Sequence, residues 1–324
     1  MSRSTVPPPV TLVLDAADAW LPMRLAAVER RLSEQVGDHG PLLAADARAT
    51  LEAGGKRLRP MLVLLCAGPG AGEEAIRAAG AIELVHMATL VHDDVLDSAP
   101  LRRGRPTVYA TAGAPRAKAL GDLLFARAFA ELAAPGAERQ VELLASASVR
   151  LARGELAQRR DAFDLGVSRE RYLERCELKT ARLFECACVI GRADPAADPH
   201  LQRFGREVGL GFQLLDDVLD VAGPPERTGK ARGTDLLDGT VTMPLIVARE
   251  RDPSLAELDL RSLDAAGAEE ACARIAATGA LDDVRAAARE RIEAAKEALD
   301  GAPLDREQQR LLSLVADGVV ERYS

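Results

Sequence analysis

The pentapeptide Asp-Asp-Val-Leu-Asp occurs twice in this chain, at Asp93–Asp97 and again at Asp216–Asp220. On an α-helix residues four apart share a face, so each copy stacks its first and last carboxylates one turn apart, with the middle Asp on their flank. A lone acidic pentapeptide is ordinarily a solvated helix face. Here Val85, Leu90 and Val91 precede the first copy and Phe212, Leu214 and Leu215 the second, so both emerge from apolar segments. Three carboxylates in so small a volume need a neutralising cation, and all-oxygen ligand sets suit hard divalent ions. Magnesium takes only one or two protein carboxylates and completes its octahedron with water and phosphate oxygens. Two such clusters facing one cavity therefore point to a diphosphate held by several Mg²⁺.

Alanine, leucine, arginine and glutamate dominate long stretches and β-branched runs are few, which predicts an all-α protein. With 48% hydrophobic residues in 324, a sizeable core is available, and residues 1–324 read as one domain in which 1–9 form a flexible tail. The net charge of -8 argues against a general nucleic-acid binder. Five scattered cysteines give no disulfide framework, and Cys186 and Cys188 lack the spacing of a zinc site, so buried thiols are expected. The N-terminus lacks the apolar core of a signal peptide and no run reaches the ~18 apolar residues of a membrane span, so a cytoplasmic protein without a membrane anchor is expected.

Helical periodicity runs from Val10 to Val36 and from about Pro41 to Glu52, and resumes at Met61 after the cationic breaker Gly54-Gly55-Lys56-Arg57-Leu58-Arg59-Pro60. Glu73–Leu96 carries the first acidic cluster, and Ser98–Pro106 is a basic loop with Arg102, Arg103 and Arg105. Further helices are expected over Arg116–Ala134, Glu138–Arg160, Ser168–Ile190 and Asp198–Leu219, with three more from Met243 to Ser324. The irregular stretch Val221–Val241 lies beside the second cluster and reads as a lid that excludes water. Gly229-Lys230 lacks the spacing and hydroxyl of a phosphate-binding P-loop.

With both acidic clusters, the Gly-Gly-Lys-Arg-Leu-Arg-Pro segment and the Arg-Arg-Gly-Arg-Pro-Thr loop in family order, the chain resembles the trans-isoprenyl diphosphate synthases, or polyprenyl synthetases. The resemblance implies a helical bundle of the isoprenoid synthase type around a central cavity, a homodimer, and the joining of isopentenyl diphosphate to an allylic diphosphate with about three Mg²⁺ per site. It assigns metal binding to Asp93, Asp94 and Asp97 and to Asp216, Asp217 and Asp220, with Asp93, Asp97 and Asp216 the principal ligands. Lys56, Arg59, His86 and Arg103 match the residues that grip isopentenyl diphosphate, as forked cationic donors suit an anion. Arg102, Lys179, Thr180, Gln213 and Lys230 match those on the allylic diphosphate, with Lys179 and Lys230 also catalytic. His86 precedes Asp93 by seven residues and shares its helical face, whereas His92 does not and is expected to be a packing residue. One departure stands out: family members often read Gly-Lys-x-Thr after the lid Asp, and here the run is Gly239-Thr240-Val241-Thr242, a lost cation that Arg232 could replace.

In this family the residues just upstream of the first cluster help set product length. The small Ala88 and Thr89 leave no aromatic plug, and Thr89 shares the face of Asp93, so a long all-trans product for quinone side chains is expected. Phe129, four residues after Phe125, is a candidate tunnel floor. A geranylgeranyl diphosphate synthase is the nearest alternative. A terpene cyclase would pair one Asp-rich motif with an Asn/Ser/Glu-type motif, and a non-catalytic subunit would lack an acidic cluster; the two intact copies speak against both.

Overall fold

The computed structural model describes residues 8–37, 40–55, 57–134, 136–223 and 232–321. The all-α expectation holds: the described residues are helices joined by short turns, apart from one hairpin whose strands are two residues each. Where one helix was expected from Val10 to Val36 there are two, α1 (Pro8–Ala16) and α2 (Trp20–Gly37), because Asp18 adopts a left-handed φ of 52°. After α3 (Gly40–Glu52), α4 (Leu58–Ala67) begins inside the expected breaker and buries every residue from Pro60 to Cys66. The helix α5 (Glu73–Leu96) follows and carries the first acidic cluster. It buries residues all round its circumference from Ala75 to Val91, so it is a central element rather than a surface one.

The basic loop after α5 is a hairpin. Leu101–Arg102 pairs with Arg105–Pro106 through Arg103 and Gly104, whose φ values of 53° and 74° are those of a type I′ turn. Thr107 then accepts a hydrogen bond from the Ala110 amide at 3.0 Å and caps α6 (Val108–Leu132). That helix starts well before the expected Arg116, because a kink at Gly113 and Pro115 masks its first turns in the sequence. α7 (Glu138–Arg160) matches expectation. The expected single helix Ser168–Ile190 divides into α8 (Arg169–Cys176), one π-helical turn at Glu177–Ala181, and α9 (Arg182–Ile190).

The second cluster lies on α10 (Asp198–Ala222). After the short α11 (Thr234–Leu237), four helices rather than three occupy the remainder: α12 (Met243–Arg251), α13 (Ala265–Ala277), α14 (Ala280–Ala298) and α15 (Arg306–Glu321). The extra break falls at Gly279, whose φ is 77°. α9 packs against α4, α5, α7 and α10, so it ties the helices bearing the two acidic clusters into one core. Among the described residues no helix is long and apolar enough to cross a membrane.

Candidate active site

Asp93 and Asp97 stack at the end of α5 as the spacing requires, with the Asp97 amide donating to the Asp93 carbonyl at 2.8 Å. Cations from neighbouring helices meet them. Arg159 on α7 reaches Asp97 at 2.5 Å, and the Lys179 ammonium lies 3.9 Å from Asp93 and 2.5 Å from Glu155. Burial pushes the Asp93 carboxyl up to about 6; Lys179 opposes this, while Glu155 and Asp97 add to it. Burial works against the charge on Lys179, yet Asp93 and Glu155 hold it above its usual range. Asp94 is buried and accepts from Arg102 Nε at 2.7 Å. Neither Glu155 nor Arg159 was legible in the sequence, because α7 is polar over most of its surface and nothing distinguishes its inward-facing charges.

In the second cluster Asp216 is exposed and Asp220 half-buried, with one Asp220 oxygen accepting from the Asp235 amide at 3.2 Å. Asp217 is buried. One of its oxygens accepts from the Tyr172 hydroxyl at 2.5 Å and the other from Gln213 Nε2 at 2.8 Å. Burial raises its pKa, with the charge of Asp235 next in the same direction. The Gln213 oxygen in turn accepts from Thr180 Oγ1 at 2.7 Å.

Lys179 and Thr180 are neighbours on the π-helical turn, and one reaches Asp93 while the other is bonded to Gln213 beside Asp217. The two clusters thus converge on one turn of chain. π-helical turns widen the backbone by one residue and often mark functional sites. This one gave no periodicity signal, since a single inserted residue barely disturbs the pattern.

A cationic pocket adjoins the first cluster. Arg57, held in a left-handed φ of 49°, pairs with the buried Glu83 at 2.8 Å and with Glu29. Arg59 lies over the Phe184 ring, 4.4 Å from its centroid, and its buried Nε has no hydrogen-bond partner. Burial lowers the pKa of Arg59 to about 10, with Glu83 resisting and Arg103 assisting. His86 sits among these guanidinium groups. Burial first, then Arg59, Arg103, Arg102 and Arg57, hold it well below its usual range and keep it neutral. Glu83 and Arg57 went unassigned in the sequence reading, although a Glu inside the apolar run of α5 was a usable signal.

Lys56 and Lys230, both expected in the site, lie outside the described residues, as do residues 224–231 of the expected lid. Arg232 donates to the Val221 carbonyl and to Glu269 at 2.6 Å, so in this state it is engaged away from Thr240, which is itself buried. His92 packs as expected, stacked on Phe125 with centroids 5.8 Å apart and 3.3 Å from Asp122. Ala88 is fully buried and Thr89 half-buried, its hydroxyl donating to the His86 carbonyl at 2.8 Å. Phe129 is half-buried against the core.

Among the described residues no group of three or more His, Cys, Asp or Glu side chains is assembled to hold a metal alone. The carboxylates of Asp93 and Asp97, one turn apart, fit Mg²⁺, which takes one or two protein carboxylates and completes its shell with water and phosphate. The unpartnered Arg59 Nε likewise fits an anion, since a buried donor without a partner costs about 1–3 kcal/mol.

A polyprenyl synthetase family model matches residues 41–276. The chain is 39% identical over 315 residues to heptaprenyl diphosphate synthase component 2 of Geobacillus stearothermophilus, covering 93% of this chain and 97% of the relative. Among solved structures it is similar to a polyprenyl synthase from Caulobacter crescentus CB15 complexed with calcium and isoprenyl diphosphate. That pair gives a TM-score of 0.89 at 34% identity, over 96% of this chain and 98% of the other. A decaprenyl diphosphate synthase from Rhodobacter capsulatus gives 0.86 at 35% identity, over 96% and 99%.

Proposed function

Because the chain belongs to the polyprenyl synthetase family and is a prenyltransferase, we propose that it joins isopentenyl diphosphate to an allylic diphosphate and repeats the step to a long all-trans polyprenyl diphosphate. The convergence of Lys179 and Thr180 on both Asp clusters carries this reading, because a diphosphate bound to that turn would lie within reach of both. Asp93, Asp97 and Asp216 would hold Mg²⁺ there, three ions once the diphosphate is bound, and Asp94, Asp217 and Asp220 lie behind them. The bound metal would supply Lewis-acid withdrawal of charge from the leaving diphosphate.

Lys179, Arg102, Gln213 and Thr180 orient the allylic diphosphate, and Lys230 belongs with them by sequence. As the allylic C–O bond breaks, its electron pair leaves with the diphosphate, whose growing charge the Lys179 ammonium faces. The cationic pocket of Arg59, Arg103 and neutral His86, with Lys56 by sequence, holds isopentenyl diphosphate without metal. Its double bond attacks the allylic cation, and the proton lost in forming the new double bond passes to the released diphosphate, so no dedicated protein base is needed.

The small Ala88 and Thr89 support a long product, as do relatives named heptaprenyl and decaprenyl diphosphate synthases. Geranylgeranyl diphosphate synthesis is less favoured. The exposed Val149 and Leu156 of α7 support burial against a second copy of this one-domain chain. The test is product mass after incubation with Mg²⁺, isopentenyl diphosphate and farnesyl or geranylgeranyl diphosphate. Six or more isoprene units support the reading, whereas no elongation overturns it.

A further inference from the structure

We infer that Tyr172 is a positioning residue for the allylic diphosphate: through Asp217, its buried hydroxyl fixes the amide of Gln213 that meets the substrate. The inference rests on the site reading given under Proposed function and deepens it. Within the second acidic cluster the three carboxylates do different work. Asp216 faces solvent, but Asp217 is only 2% exposed and both its oxygens are occupied, Oδ1 by Gln213 at 2.8 Å and Oδ2 by Tyr172 at 2.5 Å. A carboxylate so enclosed anchors its neighbours rather than a metal ion.

What it anchors is the direction of one amide. The Gln213 oxygen accepts from Thr180 at 2.7 Å and one amide hydrogen goes to Asp217, which leaves the second amide hydrogen as a donor toward an anion. Gln213 is a long, rotamer-rich side chain, so holding it at both ends removes freedom that substrate binding would otherwise have to take away. The contact with Thr180 depends on backbone proximity. One turn before Gln213, a Cβ on Gly209 would lie 2.7 Å from Ala181 Cα, so α10 and the π-helical turn touch main chain to main chain.

Tyr172 closes the arrangement from behind. It is 1% exposed, its ring lies 5.5 Å from the Arg175 guanidinium, and that guanidinium donates to the Val241 carbonyl at 2.6 Å. Phenylalanine would fill the same volume, so packing alone does not account for the hydroxyl, which donates to Asp217. Without it, Asp217 keeps a single side-chain donor and can rotate, and Gln213 rotates with it.

The experiment compares Tyr172→Phe, Gln213→Ala and the double variant by the KM of each substrate separately. Tyr172→Phe should raise the KM of the allylic diphosphate about tenfold, the factor typical of one hydrogen bond to a charged group, and leave that of isopentenyl diphosphate unchanged. In the Gln213→Ala background it should add nothing, because the group it positions is gone. A merely structural role would shift both KM values, or add independently to Gln213→Ala, and either result overturns the inference. An unchanged allylic KM in Tyr172→Phe also overturns it. Should Tyr172→Phe not fold, Asp217→Asn, which offers one acceptor where the carboxylate offers two, is read by the same comparison. Gln213→Ala alone separates the two levels: if it leaves the allylic KM unchanged, the site reading itself fails, and if only Tyr172→Phe is silent, the site stands and the positioning role falls.

Discussion

Gly154→Ala should nearly abolish turnover while scarcely changing stability. Gly154 lies within α7, and a Cβ there would fall 2.5 Å from Lys179 N, 2.8 Å from Lys179 Cα and 2.9 Å from Leu178 C. All three are main-chain atoms, so no rotamer change relieves the clash. Restoring contact distances of about 3.5–4.0 Å requires α7 and the π-helical turn to part by about 1 Å. Overpacking of this kind costs about 1–3 kcal/mol, while replacing a mid-helix Gly by Ala returns about 0.5–1 kcal/mol. The net loss of about 0–2.5 kcal/mol, set against an unfolding entropy of about 2.1 cal/mol/K per residue over 324 residues, lowers Tm by about 0–4 °C. Catalysis is far less tolerant. A displacement of about 1 Å at the turn that carries Lys179 and Thr180 should lower kcat about 100-fold. Single-turnover condensation kinetics beside differential scanning calorimetry give both numbers, and wild-type turnover with a raised Tm would refute the close approach.

Further outcomes follow from the charges around the site. Glu155→Gln removes the nearest partner of Lys179, which then competes with metal for Asp93, so the Mg²⁺ concentration for half-maximal activity should rise about tenfold; an unchanged activation curve contradicts this. His86 is held neutral, so its folded pKa is below its unfolded value: its contribution is intact above about pH 6.5 and is lost as pH falls, at about 1.4 kcal/mol per unit. His86→Gln should therefore flatten the decline of stability between about pH 6.5 and 5, measured by denaturant unfolding at each pH. Thr89→Phe, at a half-buried position on the face of Asp93, should shorten the product while retaining the first condensation. Ala88→Phe, at a fully buried position, should instead cost about 1–3 kcal/mol by overpacking, visible as a lower Tm.

Much of this architecture was written in local pattern. The repeated pentapeptide and its apolar approaches located both helix ends that bear the acidic clusters, and α5, α7 and α10 begin where periodicity and breakers placed them. What periodicity missed was set by backbone geometry or by distant partners. The π-helical turn at Glu177–Ala181 inserts one residue without altering the apolar pattern, and the hairpin at Arg103-Gly104 lacks the usual Asn-Gly signal. Glu155, Arg159 and Tyr172 have no motif of their own; each is defined by a partner at least 24 residues away in sequence, Lys179, Asp97 and Asp217. Likewise, nothing in Asp-Asp-Val-Leu-Asp itself tells that Asp94 and Asp217 turn inward to Arg102 and Tyr172 while Asp216 faces solvent.

Above all, both Asp clusters are proposed to serve one diphosphate. This is tested most directly by anomalous diffraction from crystals grown with Mn²⁺ and an unreactive thio-analogue of farnesyl diphosphate. Metal peaks are expected at Asp93 and Asp97 and at Asp216, bridged by the oxygens of a single diphosphate that also meets Lys179 and Gln213. Metal at only one cluster, or a diphosphate seated away from both, would contradict it.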